Sequence, residues 1–154
     1  MNRRAVTVLG ELDPAELGVT MVHEHIFVDN WEMTFDYDFI LDSEELAIEE
    51  VRRYASAGGG SICDTTSQGI GRNPEGLASV SRATGVHILM GAGFYREAVY
   101  PHDFDRTSTN ALAARLVEEL VIGVGPERVR AGFVGEIGTE RGAISSRQER
   151  MFRA

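Results

Sequence analysis

Residues 19–29, VTMVHEHIFVD, form a run rich in β-branched and aromatic residues. Such a run predicts a long β-strand, the first long strand of the fold. Side chains two residues apart in a strand project from the same face, so His23 and His25 point one way and Glu24 points the other. A loop is expected at residues 31–41, which places the histidine pair near the carboxyl end of the strand.

Further runs of the same kind follow, with amphipathic segments between them. Strands are expected at residues 61–65 (SICDT), 86–90 (VHILM) and 130–137 (RAGFVGEI), with a short β-like run before them at residues 6–9. Helices are expected from a cap at Asp42 or Ser43 to Ala55, from Pro74 to Gly85, around the apolar positions from Leu112 to Leu120 with an end near Gly123, and from a cap at Ser145 or Ser146 onward. Residues 91–107 are expected to form a functional loop between a strand and a helix.

This alternation of strands and helices predicts an α/β fold with parallel strands joined by right-handed crossovers. A flavodoxin-like open sheet closes at this length, whereas a (β/α)8 barrel typically needs about 250 residues. Composition does not choose between the two architectures. No internal boundary is visible, so residues 1–154 are interpreted as a single domain.

Composition excludes several classes of protein. The chain has 154 residues, of which 43% are hydrophobic, and a net charge of −9. These values exclude a mainly disordered protein and argue against nucleic acid or a membrane surface as the partner. Cys63 is the single cysteine, so no internal disulfide forms, and it is interpreted as a buried packing residue. With no apolar run of membrane-helix length, the chain is expected to be cytoplasmic.

The His23 and His25 pair is the first candidate for chemistry, because two imidazoles on one face of a strand can reach one metal ion. The alternative is a pair of histidines satisfied by hydrogen bonds. Glu136 is the second candidate, since its carboxylate lies in a small, apolar run at the end of a predicted strand. A buried charge of this kind needs a cation, or one of the arginines as the alternative partner. Asp64 is either a further polar group at the same rim or a cap for the turn that follows.

The remaining candidates are weaker. The segment 69–72, GIGR, lacks the P-loop lysine and the full dinucleotide glycine spacing, so it is interpreted as a turn. Phe94 and Tyr95 follow the third long strand and either line a pocket or pack in the core. His87 and His102 are interpreted as structural histidines.

Four segments together resemble the phosphotriesterase family of the amidohydrolase superfamily. They are residues 8–25 (VLGELDPAELGVTMVHEH), 63–86 (CDTTSQGIGRNPEGLASVSRATGV), 93–95 (GFY) and 131–142 (AGFVGEIGTERG). The resemblance implies a (β/α)8 barrel with two divalent metal ions, zinc being expected and manganese or cobalt being alternatives. It also implies that His23 and His25 bind one metal, that Glu136 bridges both, and that Tyr95 helps to shape the substrate pocket.

The absence of lysine refines this resemblance. Triester-cleaving members use a carboxylated lysine as the bridge, and related branches include members with glutamate in its place. Because the chain contains no lysine, the resemblance points to the phosphotriesterase-related branch and weakens the case for organophosphate substrates. The family also uses two further histidines and an aspartate from later strands, and these lie beyond Ala154. The chain is therefore expected to be the N-terminal half of a barrel, truncated after the fourth strand, and to bind metal weakly on its own.

The function implied is a metal-dependent hydrolase that acts on an ester, lactone or phosphoester in a small-molecule substrate. A metal-dependent deoxyribonuclease of the TatD type is a competitor of the same fold. The alternative of another class is a catalytically inactive half-barrel fragment that associates with a complementary half or forms a homodimer.

Overall fold

The computed structural model describes residues 3–140 and 142–154. Within these ranges the strands are β1 (Ala5–Thr7), β2 (Gly10–Leu12), β3 (Val19–Glu24), β4 (Val28–Asp29), β5 (Ile40–Leu41), β6 (Gly59–Asp64), β7 (His87–Ala92) and β8 (Phe133–Val134). The α-helices are α1 (Trp31–Thr34), α2 (Glu44–Ser56), α3 (Pro74–Thr84), α4 (Thr109–Val121) and α5 (Ser146–Arg153). None of the described helices is long and apolar enough to cross a membrane.

The central sheet has four parallel strands in the order β3, β6, β7, β8. Each of these strands therefore pairs with the one before it in the sheet, and the order never reverses. A flavodoxin-like sheet requires a reversal, so that alternative is wrong. Right-handed crossovers between neighbours in sequence place the connecting helices on one face, and the sheet curls as one half of a barrel. The predicted half-barrel of about four β/α units is confirmed.

Helices α2, α3 and α5 begin close to the predicted positions, and α4 begins three residues before the predicted Leu112. Ser43, Asn73 and Ser145 cap α2, α3 and α5, each accepting a hydrogen bond from a backbone N–H in the first turn. Gly85 ends α3 in the left-handed conformation, with φ of 75°. The buried faces of the helices and strands meet in one apolar core, which includes Val51, Leu77, Val80, Ile88, Met90, Phe104, Leu112 and Leu116.

Residues 19–29 do not form one strand as predicted. β3 ends at Glu24, and the chain resumes as β4, which pairs antiparallel with β5. The cause is a side chain from the neighbouring strand: the Ile26 N–H donates to Asp64 Oδ2 over 2.7 Å, so this backbone bonds to a carboxylate instead of a strand. The prediction of a loop at residues 31–41 was also wrong, because that stretch contains α1 and β5.

The predicted strand at residues 130–137 is reduced to the two residues of β8. On either side of it, single bonds continue the pairing with β7, from Gly132 N to Met90 O and from Gly135 N to Ala92 O, each 2.8 Å. The next amide, that of Glu136, bonds to Thr65 O at 3.2 Å and so leaves the pairing with β7. The glycines that flank β8 therefore allow the chain to turn toward the middle of the half-barrel.

Two smaller expectations also changed. The loop predicted at residues 91–107 begins only after Ala92 and contains two short 3-10 turns, Glu97–Val99 and Phe104–Arg106. Cys63, expected to be a buried packing residue, is partly exposed on β6.

Candidate metal centre

His23, His25 and Glu136 meet at the carboxyl end of the sheet. His23 Nε2 lies 3.3 Å from Glu136 Oε2, and His25 Nε2 lies 3.5 Å from Glu136 Oε1. The three candidate ligand atoms lie within 4.8 Å of one another. We refer to these three residues as the HHE cluster.

The curl of the sheet brings the HHE cluster together. His23 lies in the first strand of the sheet, His25 follows directly after that strand, and Glu136 follows the last strand, so about three strand spacings separate the histidines from Glu136. In a flat sheet this separation would be roughly 14 Å, because neighbouring strands lie about 4.8 Å apart. The observed contacts therefore depend on curvature, which turns the two outer strands toward each other across the interior of the half-barrel.

The HHE cluster fits a divalent cation. Two imidazole nitrogens and a carboxylate are ligands for zinc, manganese or cobalt. Ligand atoms about 2.05 Å from a tetrahedral ion are separated from one another by roughly 3.3 Å. The two measured nitrogen-to-oxygen distances of 3.3 and 3.5 Å are close to that separation. Each oxygen of Glu136 faces a different histidine, so both oxygens lie near the position that an ion held by the two histidines would occupy.

The two histidines differ in environment. The side chain of His23 is 59% exposed and that of His25 is 29% exposed. Burial lowers the pKa of His25, while the nearby Glu136 carboxylate opposes that shift. The net result favours the neutral imidazole, which is the form that binds a metal ion.

The segment after β6 holds the HHE cluster in place, and sequence reasoning missed most of its contribution. Thr66 Oγ1 lies 2.9 Å from His25 Nδ1. The Thr65 carbonyl oxygen accepts a hydrogen bond from the Glu136 amide, and the Thr65 amide donates one to Glu24 O at 2.8 Å. A polar run, DTTSQ, directly after an apolar strand is the signal that could have drawn attention to it.

Asp64 contacts the backbone of the segments that carry His25 and Thr66. It is fully buried, and its two oxygens accept the amides of Ile26 at 2.7 Å and Thr66 at 3.1 Å. Of the two predicted roles, the structure therefore favours the cap of the following turn over a polar group at the rim. Burial raises the pKa of Asp64 to about 6, against the lowering effect of these hydrogen bonds.

Tyr95 lies beside the chain that carries Glu136. Its carbonyl oxygen accepts the Gly138 amide at 2.8 Å, and a Cβ added to Gly138 would lie 2.7 Å from the Tyr95 ring. The ring is partly exposed, so it is available to a molecule bound nearby. Its role in a substrate pocket stays a prediction. Phe94, in contrast, is buried in the core against Tyr100. Of its two predicted roles, it therefore has the one in core packing.

The remaining candidates lie outside the HHE cluster. Segment 69–72 is a turn, with positive φ angles at both glycines. The side chain of Arg72 at its end forms a buried salt bridge with Glu119. His87 is partly buried at the start of β7, and His102 is exposed in the loop after β7.

Known proteins are similar to this chain in both sequence and fold. The model of the phosphotriesterase family matches residues 4–154. An N-acetyltaurine hydrolase of Tetraodon nigroviridis is 32% identical, over 90% of this chain and 48% of that protein. The phosphotriesterase homology protein of Escherichia coli K12 is 29% identical, over 88% of this chain and 46% of that protein. The chain thus spans about half the length of the curated relatives it matches.

Solved structures are also similar to nearly the whole of this chain. A resiniferatoxin-binding protein of Rhodobacter sphaeroides superimposes with a TM-score of 0.88 at 31% identity, covering 96% of this chain and 49% of that one. A lactonase of Listeria monocytogenes superimposes with a TM-score of 0.87 at 26% identity, covering 97% of this chain and 51% of that one. Since the family model matches nearly every residue, the chain belongs to the phosphotriesterase family of the amidohydrolase superfamily.

Proposed function

We propose that this chain supplies the metal-binding first half of a hydrolase that cleaves an ester, lactone or phosphoester in a small molecule. The observation that carries the proposal is the HHE cluster, whose ligand atoms have the separations expected around a divalent ion. Relatives and structural neighbours in the same family are named as hydrolases, among them an N-acetyltaurine hydrolase and a lactonase. A net charge of −9 further favours a small-molecule substrate over nucleic acid.

In this proposal each residue of the HHE cluster has a distinct task. His23 and His25 would hold one metal ion, and the Glu136 carboxylate would be shared between that ion and a second one. Divalent metal ions held there would polarise the substrate oxygen and lower the pKa of a water molecule. Tyr95, beside the Glu136 segment, forms one wall of the substrate pocket.

The glutamate bridge also bears on the substrate. The chain has no lysine, so a carboxylated lysine cannot take the bridging place. Together with the resemblance described above, this favours lactones and carboxylic esters over phosphotriesters.

Metal titration of the purified chain tests the proposal. We expect zinc to bind to the wild type, and Glu136→Gln or His25→Ala to weaken binding by at least about 10-fold. His102→Ala is the matched control, since His102 is an exposed histidine outside the HHE cluster. Equal zinc binding by wild type and Glu136→Gln would contradict the assignment.

Affinity and activity need separate measurements. Three ligands do not complete two coordination spheres, so we expect weak binding by the isolated chain, and a nanomolar affinity would overturn that expectation. Hydrolysis should be assayed with lactones, carboxylic esters, phosphotriesters and N-acyl amides. Single-stranded DNA belongs in the same panel, because cleavage of DNA alone would favour the TatD-type alternative.

A further inference from the structure

Thr66 is a buried hydroxyl that contacts one of the proposed ligands. Its side chain is 1% exposed. Thr66 Oγ1 lies 2.8 Å from the carbonyl oxygen of Phe27 and 2.9 Å from His25 Nδ1. One hydroxyl therefore bridges a backbone acceptor and the imidazole nitrogen on the far side of the ring from Glu136.

Proton counting assigns the direction of both bonds. A carbonyl oxygen only accepts, so the single hydroxyl proton of Thr66 is donated to Phe27. Thr66 Oγ1 then accepts, and the proton in the bond to His25 must reside on Nδ1. His25 Nε2 consequently carries the lone pair, and it is the atom that faces Glu136. The opposite tautomer would draw the hydroxyl proton away from a carbonyl group that is itself buried.

The backbone holds Thr66 in this position. The Thr66 amide donates to Asp64 Oδ1, and the other oxygen of Asp64 accepts the amide of Ile26. The Thr65 amide donates to Glu24 O. Both residues that flank His25 are thus bonded to the segment that carries Thr66, so backbone contacts fix the spacing of the two chain segments from which the hydroxyl and the ring extend.

We propose that Thr66 is a positioning residue that sets the tautomer and ring orientation of His25, so that Nε2 is ready to bind a metal ion. This inference rests on the proposed function for its purpose, but the tautomer itself is a property of the metal-free chain. Hydrogen bonding to the second ring nitrogen is a general means of orienting a ligating histidine. His23, with its more exposed side chain, is the less constrained of the two ligands.

Nitrogen-15 NMR of histidine in the metal-free, full 154-residue chain tests this assignment. At alkaline pH, where imidazole is neutral, we expect His25 of the wild type to carry its proton on Nδ1. Thr66→Val removes the hydroxyl at nearly constant volume and should shift the population toward the Nε2-protonated tautomer. Thr66→Ser keeps the hydroxyl and should restore the wild-type spectrum. Thr65→Val is the matched control. The Thr65 hydroxyl donates to Glu24 O and not to His25, so its removal should leave the tautomer unchanged.

Zinc titration supplies the second readout. Loss of an outer hydrogen-bond partner of a ligand typically lowers metal affinity by about 10–100-fold, and we expect a decrease in that range for Thr66→Val and little change for Thr66→Ser.

The outcomes separate the two proposals. A wild-type His25 protonated on Nε2 would overturn the inference, even if Thr66→Val fails to fold. Folded Thr66→Val with an unchanged tautomer would overturn it as well. Failure of the wild type to bind zinc would refute the proposed function, while the NMR result would still decide the role of Thr66.

Discussion

Asp64 is a fully buried carboxylate with a pKa of about 6, above its ordinary 3.8. Folding therefore favours the protonated form. This contribution to stability is complete below pH 3.8 and is lost as the pH rises through about 6. Above that pH the ionised carboxylate is retained because two backbone amides and the charge of Arg72 compensate part of its burial.

We predict a pH-dependent difference between wild type and Asp64→Asn. From pH 3.8 to about 6, the free energy of unfolding of the wild type should fall relative to the variant by an amount on the order of 3 kcal/mol. Chemical denaturation at a series of pH values measures this difference. Glu11→Gln is a control of opposite sign, since Arg130 lowers the pKa of Glu11. If the difference in unfolding free energy between wild type and Asp64→Asn does not change across this pH range, the pKa of Asp64 is not raised in the folded chain.

At the scale of residues, local sequence patterns indicated the candidate ligands better than the residues that contact them. His23 and His25 were recognisable from their alternation in a strand, and Glu136 from its place in an apolar run. Thr66 was not predicted, because its bonds to His25 and Phe27 span 41 and 39 residues. Hydrogen bonds between residues so distant in sequence depend on strand pairing, which local patterns do not report.

At the scale of elements, one ion pair ties the loop after β6 to α4. The Arg72 guanidinium makes a two-pronged contact with the Glu119 carboxylate at 2.7 and 2.9 Å, and also donates to Gly91 O. The two side chains are 5% and 13% exposed. A pair buried to this degree costs desolvation to form, and removing one partner leaves an uncompensated charge.

We predict that Arg72→Met lowers the free energy of unfolding by about 3–5 kcal/mol, because Glu119 then stays buried without its cation. Replacing both residues, in Arg72→Met with Glu119→Leu, should recover part of that loss. Arg53→Met is the control, since Arg53 pairs with Glu49 and Glu50 on an exposed helix face and should change stability little. Denaturant unfolding of the four proteins measures these effects, and a double variant as unstable as the single one would contradict the argument.

Gly91 permits the close approach of β7 to the chain after β8. A Cβ at this position would lie 2.0 Å from the Gly135 carbonyl oxygen. Because Gly135 precedes Glu136, a displacement here moves the carboxylate away from the histidines. We predict that Gly91→Ala lowers stability by about 1–3 kcal/mol and also lowers zinc affinity.

A second glycine separates these two effects. Gly85→Ala strains the left-handed end of α3, where an added Cβ meets no atom within 4 Å. It should therefore reduce thermal stability without changing zinc affinity. If Gly91→Ala loses stability yet binds zinc like the wild type, β8 does not position Glu136 as we describe.

At the same scale, the longer helices were predictable, whereas the short α1 and the lengths of the strands were not. The caps at Ser43 and Ser145 and the helix start at Pro74 are local signals, and the structure confirms each. The breaks in β3 and β8 arise where an amide finds a partner outside its own strand pair, as Ile26 does with Asp64 and Glu136 with Thr65. These partners lie far away in sequence, so apolar runs overestimated both strands.

At the scale of the whole molecule, the sheet has two outer strands. Within the part of the chain that the structure describes, β3 and β8 each pair with a single neighbour in the parallel sheet. Exposed apolar side chains lie on both strands, including Val22 at 74% and Val134 at 50%. An apolar groove of about 590 Å³ also lies beside β3, between it and α2. Open strand edges with apolar side chains favour pairing with another chain.

We predict that the isolated chain self-associates in a concentration-dependent manner, as a homodimer or as larger species. Val22→Lys should weaken this association, because a charged side chain on an edge strand opposes pairing. Val117→Lys is the control, as Val117 is 56% exposed on α4, away from both outer strands. Sedimentation velocity over a range of concentrations measures the effect. A wild-type chain that remains monomeric at every concentration would contradict the prediction.

The sequence by itself determined the α/β fold class, the places of the longer helices and the identity of the three HHE residues as candidates, because each depends on local periodicity, capping or residue type. Local patterns left an open sheet and a barrel as alternatives, and the tertiary structure decided for the half-barrel that the family resemblance implied, because strand order is a property of pairing. It also decided that His23, His25 and Glu136 meet, since curvature joins strands three places apart, and that Thr66 and Asp64 support them through bonds spanning about forty residues.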